Sequence, residues 1–214
     1  MPRSSADNKK TSGRTTARTP RNSLRKAGIT GFFRPSQLEA AGLTREQLPA
    51  LRRSETIEHI SRGLYRVTEA EPTEYYSLAM ACARVPNSIV CLLSALRYHG
   101  IGTQSPSEVW LGIPHKARAP RLHELRLRLV RFSGAAWTVG VQDAQFEGVP
   151  ARITSPARTI VDCFRFERLV GAEAAIEAFK DGLRQRKVTI AQLSRVVDVL
   201  PSRRLSAFLD LHSI

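Results

Sequence analysis

FFRPSQLEAAGLTREQLPALRRSETIEHISRGLYRV, residues 32–67, is the stretch whose reading decides the fold of the N-terminal part. Arg34-Pro35-Ser36 opens a short helix that carries Leu38 and Ala41 on one face. Gly42 then supplies a residue able to take positive φ after a helix end. Thr44 is a good N-cap for a second helix, whose Leu48 and Leu51 fall at i, i+3. Helix, glycine-containing turn, helix is the helix-turn-helix pattern. Residues 57–60 and 64–67 read as two short strands joined by Ser61-Arg62-Gly63, which makes a β-hairpin wing. Pro49 fits this frame poorly, because on the second turn of a helix its missing N–H and its ring are costly. Either the second helix is kinked there or it starts later.

Upstream, Thr19-Pro20 reads as an N-cap followed by proline at the first helical position, for a helix over about 20–27 with Leu24 and Ala27 inward. Residues 1–18 are polar and aperiodic and read as a disordered basic tail. Downstream, the polar, Pro-containing run 69–73 marks a boundary. The organisation is therefore tail 1–18, winged helix-turn-helix 19–69 and C-terminal domain 70–214. In the last, an amphipathic helix is expected over 73–84. Pro86-Asn87-Ser88 ends it and caps a helix over IVCLLSALRYHG, closed by Gly100. Strands are expected over 108–113 and 125–132, the latter with Leu125, Leu127 and Leu129 inward, and shorter ones over 137–141 and 149–154. Ser155-Pro156 caps a helix to about Phe166, followed by helices over 171–184, 189–199 and 202–211. The fold class is α+β: a winged helix-turn-helix, then a mixed α/β domain with helices flanking a small sheet.

With 214 residues, 42% of them apolar and 24% charged, the chain can bury a sizeable core. No run reaches the roughly 18–20 apolar residues of a membrane span. The basic N-terminus lacks the apolar stretch of a secretory signal, and it resembles an organellar transit peptide only loosely. Cys82, Cys91 and Cys163 form an odd set without C-x-x-C spacing inside apolar runs, which implies buried thiols in a reducing cytoplasm.

Charge points to a partner. Thirty-three Lys and Arg against nineteen Asp and Glu leave +14, and a polyanion is the natural partner of such a chain. Residues 1–26 hold eight basic residues and one acid, against six and five over 27–69 and nineteen and thirteen over 70–214. Half the excess thus lies at the N-terminal end, as a solvated arm or a nucleic-acid-binding one. With Leu48 and Leu51 inward, Thr44, Arg45, Gln47, Arg52 and Arg53 are the candidates for base edges and phosphates. Ser36 and Gln37, opening the preceding helix, suit backbone phosphates. His59 and Arg62 on the wing suit a flanking phosphate or the minor groove. Lys116, Arg118, Arg121, Arg126, Arg128 and Arg131 form a second basic patch, read as a solvated strand face or as another phosphate-contacting surface.

Signals for catalysis are weak. The five histidines (59, 99, 115, 123 and 212) lack metal-ligand spacing, and neither a phosphate-binding glycine loop nor a nucleophile elbow appears. Glu108, Asp143, Glu147 and Lys116 could in principle serve a Mg²⁺ nuclease, but their spacing is ordinary. Asp162, four residues after Arg158, reads as half of an i, i+4 ion pair. No cofactor and no metal are expected.

FRPSQLEAAGLTREQL and ISRGLYRV, followed by RVPNSIVCLLSALRYHGI, VWLGIP and SPARTIVDCFRF, resemble the AbiEi antitoxins of type IV toxin–antitoxin systems over about 20–210. The helix-turn-helix portion is generic; PNSIVCLLSALRYHG and SPARTIVDCFRF, in that order after such a domain, are more specific. The resemblance implies a winged helix that binds double-stranded operator DNA and represses its own operon. It also implies a C-terminal domain that counteracts a nucleotidyltransferase-like toxin encoded beside it, without a stable toxin complex. A cytoplasmic, nucleoid-associated protein with no enzymatic activity and no membrane partner follows. Two alternatives are an antitoxin that binds its toxin directly and a winged-helix-targeted nuclease. Oligomeric state stays open. Pro49 and the basic tail depart from the family pattern.

Overall fold

The structure, a computed structural model, describes residues 20–120 and 122–211. The basic tail 1–18, the Thr19 cap, Arg121 and His212 lie outside the described residues.

The N-terminal elements follow the order helix, strand, helix-turn-helix, strand, wing, strand. Helix α1 (Pro20–Lys26) turns Leu24 inward. Strand β1 (Phe32–Phe33), which the sequence pattern did not announce, precedes two 3-10 turns, Pro35–Gln37 and Glu39–Ala41. Gly42 ends them with φ of 66°. A third 3-10 turn, Arg45–Gln47, runs into helix α2 (Leu48–Arg53). Strands β2 (Ile57–Ser61) and β3 (Leu64–Val67) complete a sheet of order β1-β3-β2. Leu24, Leu38, Leu43, Leu48, Leu51 and Ile57 close one core beneath it. Pro49 is accommodated because the α-helical part starts at Leu48. The proline then falls in the first turn, where its N–H would have no partner in any case.

The C-terminal part is a five-stranded mixed sheet of order β6-β5-β4-β8-β7, with helices on both faces. Helix α3 (Tyr76–Arg84) packs Leu78, Ala79 and Cys82 on the face that displays Val90, Leu111, Phe146 and Ile153. Strand β4 (Ile89–Val90) is central, with Val90 paired to Leu111 on one side and Ile153 on the other. The sequence reading placed these two residues in the following helix, which begins only at Leu92 (α4, Leu92–His99). An apolar run this short carries no decisive period, and the β-branched pair is drawn into the sheet between two strands.

Strands β5 (Val109–Pro114) and β6 (Leu127–Phe132) run parallel. On β6, Val130 and Phe132 are the buried residues, whereas Leu127 and Leu129, with Leu125 ahead of the strand, are only half-buried, because this strand is the sheet's edge. The expected strand at 137–141 is instead a 3-10 turn, Gly134–Trp137, with β7 (Val141–Phe146) beginning after it. β7 forms a hairpin with β8 (Val149–Thr154). The C-terminal helices are α5 (Pro156–Arg165), the short α6 (Glu167–Val170), α7 (Ala172–Arg184), α8 (Ile190–Val199) and α9 (Arg203–Leu211). With α4 they bury Ile89, Trp110, Val130 and Phe132 on the sheet's other face. No described helix is long and apolar enough to cross a membrane.

Candidate nucleic-acid interface

Burial of Leu48 and Leu51 fixes the phase of the second helical segment, so its remaining positions face outward. Arg45, Gln47, Arg52 and Arg53 are all exposed, as are Thr44, Ser36 and Gln37 on the preceding turns and His59 and Arg62 on the wing. The nine sequence candidates therefore share one small module and leave its core untouched.

Their freedom differs. Gln47 Oε1 accepts the Thr44 backbone N–H at 2.8 Å, and Gln37 Oε1 accepts that of Arg34 at 2.7 Å. Both glutamines close helical turns, which fixes their carbonyl oxygens toward the backbone and leaves their amide N–H groups the freer for a ligand. The Thr44 hydroxyl, with Glu46's own backbone N–H, holds the Glu46 carboxyl below its ordinary value. Ser36 lies inside a three-residue 3-10 turn, Pro35–Gln37, and does not open a longer helix, so no sizeable dipole stands behind it. Arg45, Arg52, Arg53 and Arg62 form no side-chain hydrogen bond or ion pair with other described residues. On the wing, the His59 ring lies 5.2 Å from that of Tyr65, its cross-strand partner.

The second basic patch is less uniform than its sequence. Arg131 donates to the carbonyls of His115 and Ala117 at 2.6 and 2.8 Å, which pins the loop that crosses from β5 to β6. Arg128 lies over the Trp110 ring at 5.7 Å. Lys116, Arg118 and Arg126 are exposed on or beside that loop. Charged side chains along an edge strand also discourage pairing with another sheet.

The ion pair of Arg158 and Asp162 is fully buried, not a surface pair. Two arginines outside the candidate set matter for position. Arg34 donates to Ala83 O of α3 at 3.2 Å. Arg66 on β3 is buried, with its guanidinium over the rings of Phe32 and Tyr76.

The carboxylates considered for a nuclease do not gather. β5 and β7, which Glu108 and Asp143 adjoin or occupy, are separated by β4 and β8. No group of three metal-ligating side chains exists among the described residues. All three cysteines are buried and free, and burial pushes the Cys82 thiol up to about 12.

Residues 24–68 match the family described as transcriptional regulator, AbiEi antitoxin. The resemblance read from the sequence is shown over this segment, which coincides with the winged helix. No curated protein sequence is significantly similar to the chain. Among solved structures, the chain is similar to the crystal structure of the RV2827C protein from Mycobacterium tuberculosis. That likeness has a TM-score of 0.50 and 18% identity, and covers 84% of this chain and 72% of the other. It is a likeness of fold: a winged helix followed by an α/β domain.

Proposed function

We propose, from a winged helix that matches the AbiEi antitoxin regulators, that the chain represses its own operon and counteracts a nucleotidyltransferase-like toxin encoded beside it. One observation carries the reading. Within the matched segment, every candidate contact residue is exposed while Leu38, Leu43, Leu48, Leu51 and Ile57, interleaved with them, are buried.

On operator DNA, Arg45 at the N-terminal end of the second helical segment reads a guanine edge through its two-pronged guanidinium. Gln47, with its carbonyl oxygen held by the Thr44 N–H, is less free to pair both its groups with one base and so discriminates less. Arg52, Arg53, Ser36 and the Gln37 amide hold phosphates, and His59 and Arg62 place the wing on the flanking backbone. The C-terminal domain, 70–214, supplies the antitoxic activity without a stable toxin complex. The protein works in the cytoplasm, on the nucleoid when operator-bound.

Arg45→Ala is expected to cost about 1–3 kcal/mol on the operator and much less on random DNA. Gln47→Ala costs less, and Arg62→Ala weakens both DNAs alike. Equal losses on operator and random DNA for Arg45→Ala would show that the recognition surface lies elsewhere. Co-purification of the toxin with the full chain would favour direct binding instead.

The tail adds a sequence-independent component. Deleting residues 1–18 removes five basic side chains. For every phosphate that these side chains neutralise, the deletion should flatten the slope of log K against log salt by about 0.9, with sequence preference intact. An unchanged slope would make the tail a solvated arm only.

A further inference from the structure

A tight turn of the C-terminal domain lies at the centre of its contact with the winged helix. β7 and β8 pair up to Phe146 and Val149, which leaves Glu147-Gly148 as a two-residue hairpin loop. Both residues have positive φ, 44° and 85°, as type I′ turns require. At the first of these positions Asn or Asp is the usual choice, and glutamate is a strained one.

Glu147 nonetheless reaches three separate pieces of the chain. Its Oε1 accepts both the backbone N–H and the hydroxyl of Thr73, at 2.7 and 2.9 Å, in the segment that joins the two parts. Its Oε2 lies 3.9 Å from Nε of Arg66 on β3, and both side chains are only 6% exposed. Its backbone carbonyl accepts the Phe32 N–H of β1 at 3.0 Å. Gly31 passes so close that a Cβ there would lie 2.5 Å from that carbonyl oxygen. Arg66 also reaches Glu58 Oε1 at 3.4 Å and the Ala70 carbonyl.

Around this polar joint, Phe32 and Leu64 pack against Leu78 and Cys82 of α3. Apolar burial is non-directional and would tolerate several angles between the parts. A buried carboxylate and guanidinium add little net stability once desolvation is counted, but they can select one arrangement among several.

We infer that Glu147 is a positioning residue that fixes the orientation of the winged helix on the C-terminal domain, so that the DNA-reading surface is presented by one rigid body. Its consequence for DNA rests on the function proposed above; the orientation itself does not.

Glu147→Asn, in the full chain, tests this. Asparagine suits the type I′ turn, so the hairpin folds, but it is too short and uncharged to hold Thr73 and Arg66. Residual dipolar couplings of the wild type should fit one alignment tensor across 20–68 and 75–211. In the variant, the tensor of the winged helix should shrink relative to that of the C-terminal domain. Operator affinity should fall about tenfold if one released orientation in ten is productive. A single common tensor in Glu147→Asn would overturn the inference. Separate tensors with unchanged operator affinity would overturn its consequence for DNA. If the wild type itself does not bind operator, the proposed function fails, while the tensors still decide the orientation.

Discussion

Asp162→Asn should remove about 3–5 kcal/mol of stability, because it leaves a guanidinium buried without a counter-charge. Arg158 and Asp162 are both fully buried, with Nε and Oδ2 at 2.7 Å. Arg158 also donates to the carbonyls of Ala136, at 2.9 Å, and Val139, and its guanidinium lies 5.0 Å from the Phe132 ring. Among the described residues no other carboxylate pairs with Arg158. Burial raises the Asp162 carboxyl above its ordinary value, against the pull of Arg158 and Arg165, so the surroundings penalise charge strongly. Against a total of about 5–15 kcal/mol, such a loss brings the domain close to unfolding. Urea titration should show a lower midpoint at unchanged slope. The double replacement Arg158→Met with Asp162→Leu should cost less than Asp162→Asn alone, since it leaves no fully buried guanidinium without a counter-charge; Arg165, the other partner of Asp162, is partly exposed. A cost below about 1 kcal/mol for Asp162→Asn, the level of a surface pair, would contradict the account.

Phe32→Ala should cost a comparable 3–5 kcal/mol and should be felt on both sides of the 69–73 segment. By sequence Phe32 belongs to the winged helix. In the structure its side chain is 2% exposed, lies 5.3 Å from the Tyr76 ring and shares a cluster with Leu78, Cys82 and Phe146. Leu24, Leu38, Leu48, Leu51 and Ile57, which the spacing turns inward or onto a strand before the 69–73 boundary, suggest a separate core for the winged helix. They do form one, but Phe32 and Leu64 belong to another. Thermal unfolding should therefore show one transition that moves as a whole in Phe32→Ala. Two transitions, with only one displaced, would mean that the winged helix melts independently.

Which features were legible in the sequence follows from the range of the interactions that specify them. The helix-turn-helix was legible because Leu48 and Leu51 are three apart and Gly42 marks the break between segments. The same phase told which side chains face outward. The capping glutamines were equally local: Thr44-Arg-Glu-Gln47 is a capping-box spacing, yet Gln47 reads from the sequence as a base reader, and only the structure shows its carbonyl engaged by Thr44. Strand β4 was hidden because two β-branched residues in a longer apolar run fit helix and strand alike. The joint at Glu147 was invisible for another reason. Its partners Arg66 and Thr73 lie more than seventy residues away, and no local pattern marks a surface-type residue as buried. The i, i+4 pairing of Arg158 with Asp162 could be read from spacing, but its burial could not.

The most direct test of the central claim is a comparison of two affinities at one physiological salt concentration. The full chain is titrated, by fluorescence anisotropy, against DNA from upstream of its own reading frame and against a scrambled duplex of the same length. A sequence-reading winged helix should prefer the upstream DNA by about a thousandfold or more. Equal affinities with the same salt dependence would mean that the chain holds phosphates alone, and would contradict its assignment as a repressor of its own operon.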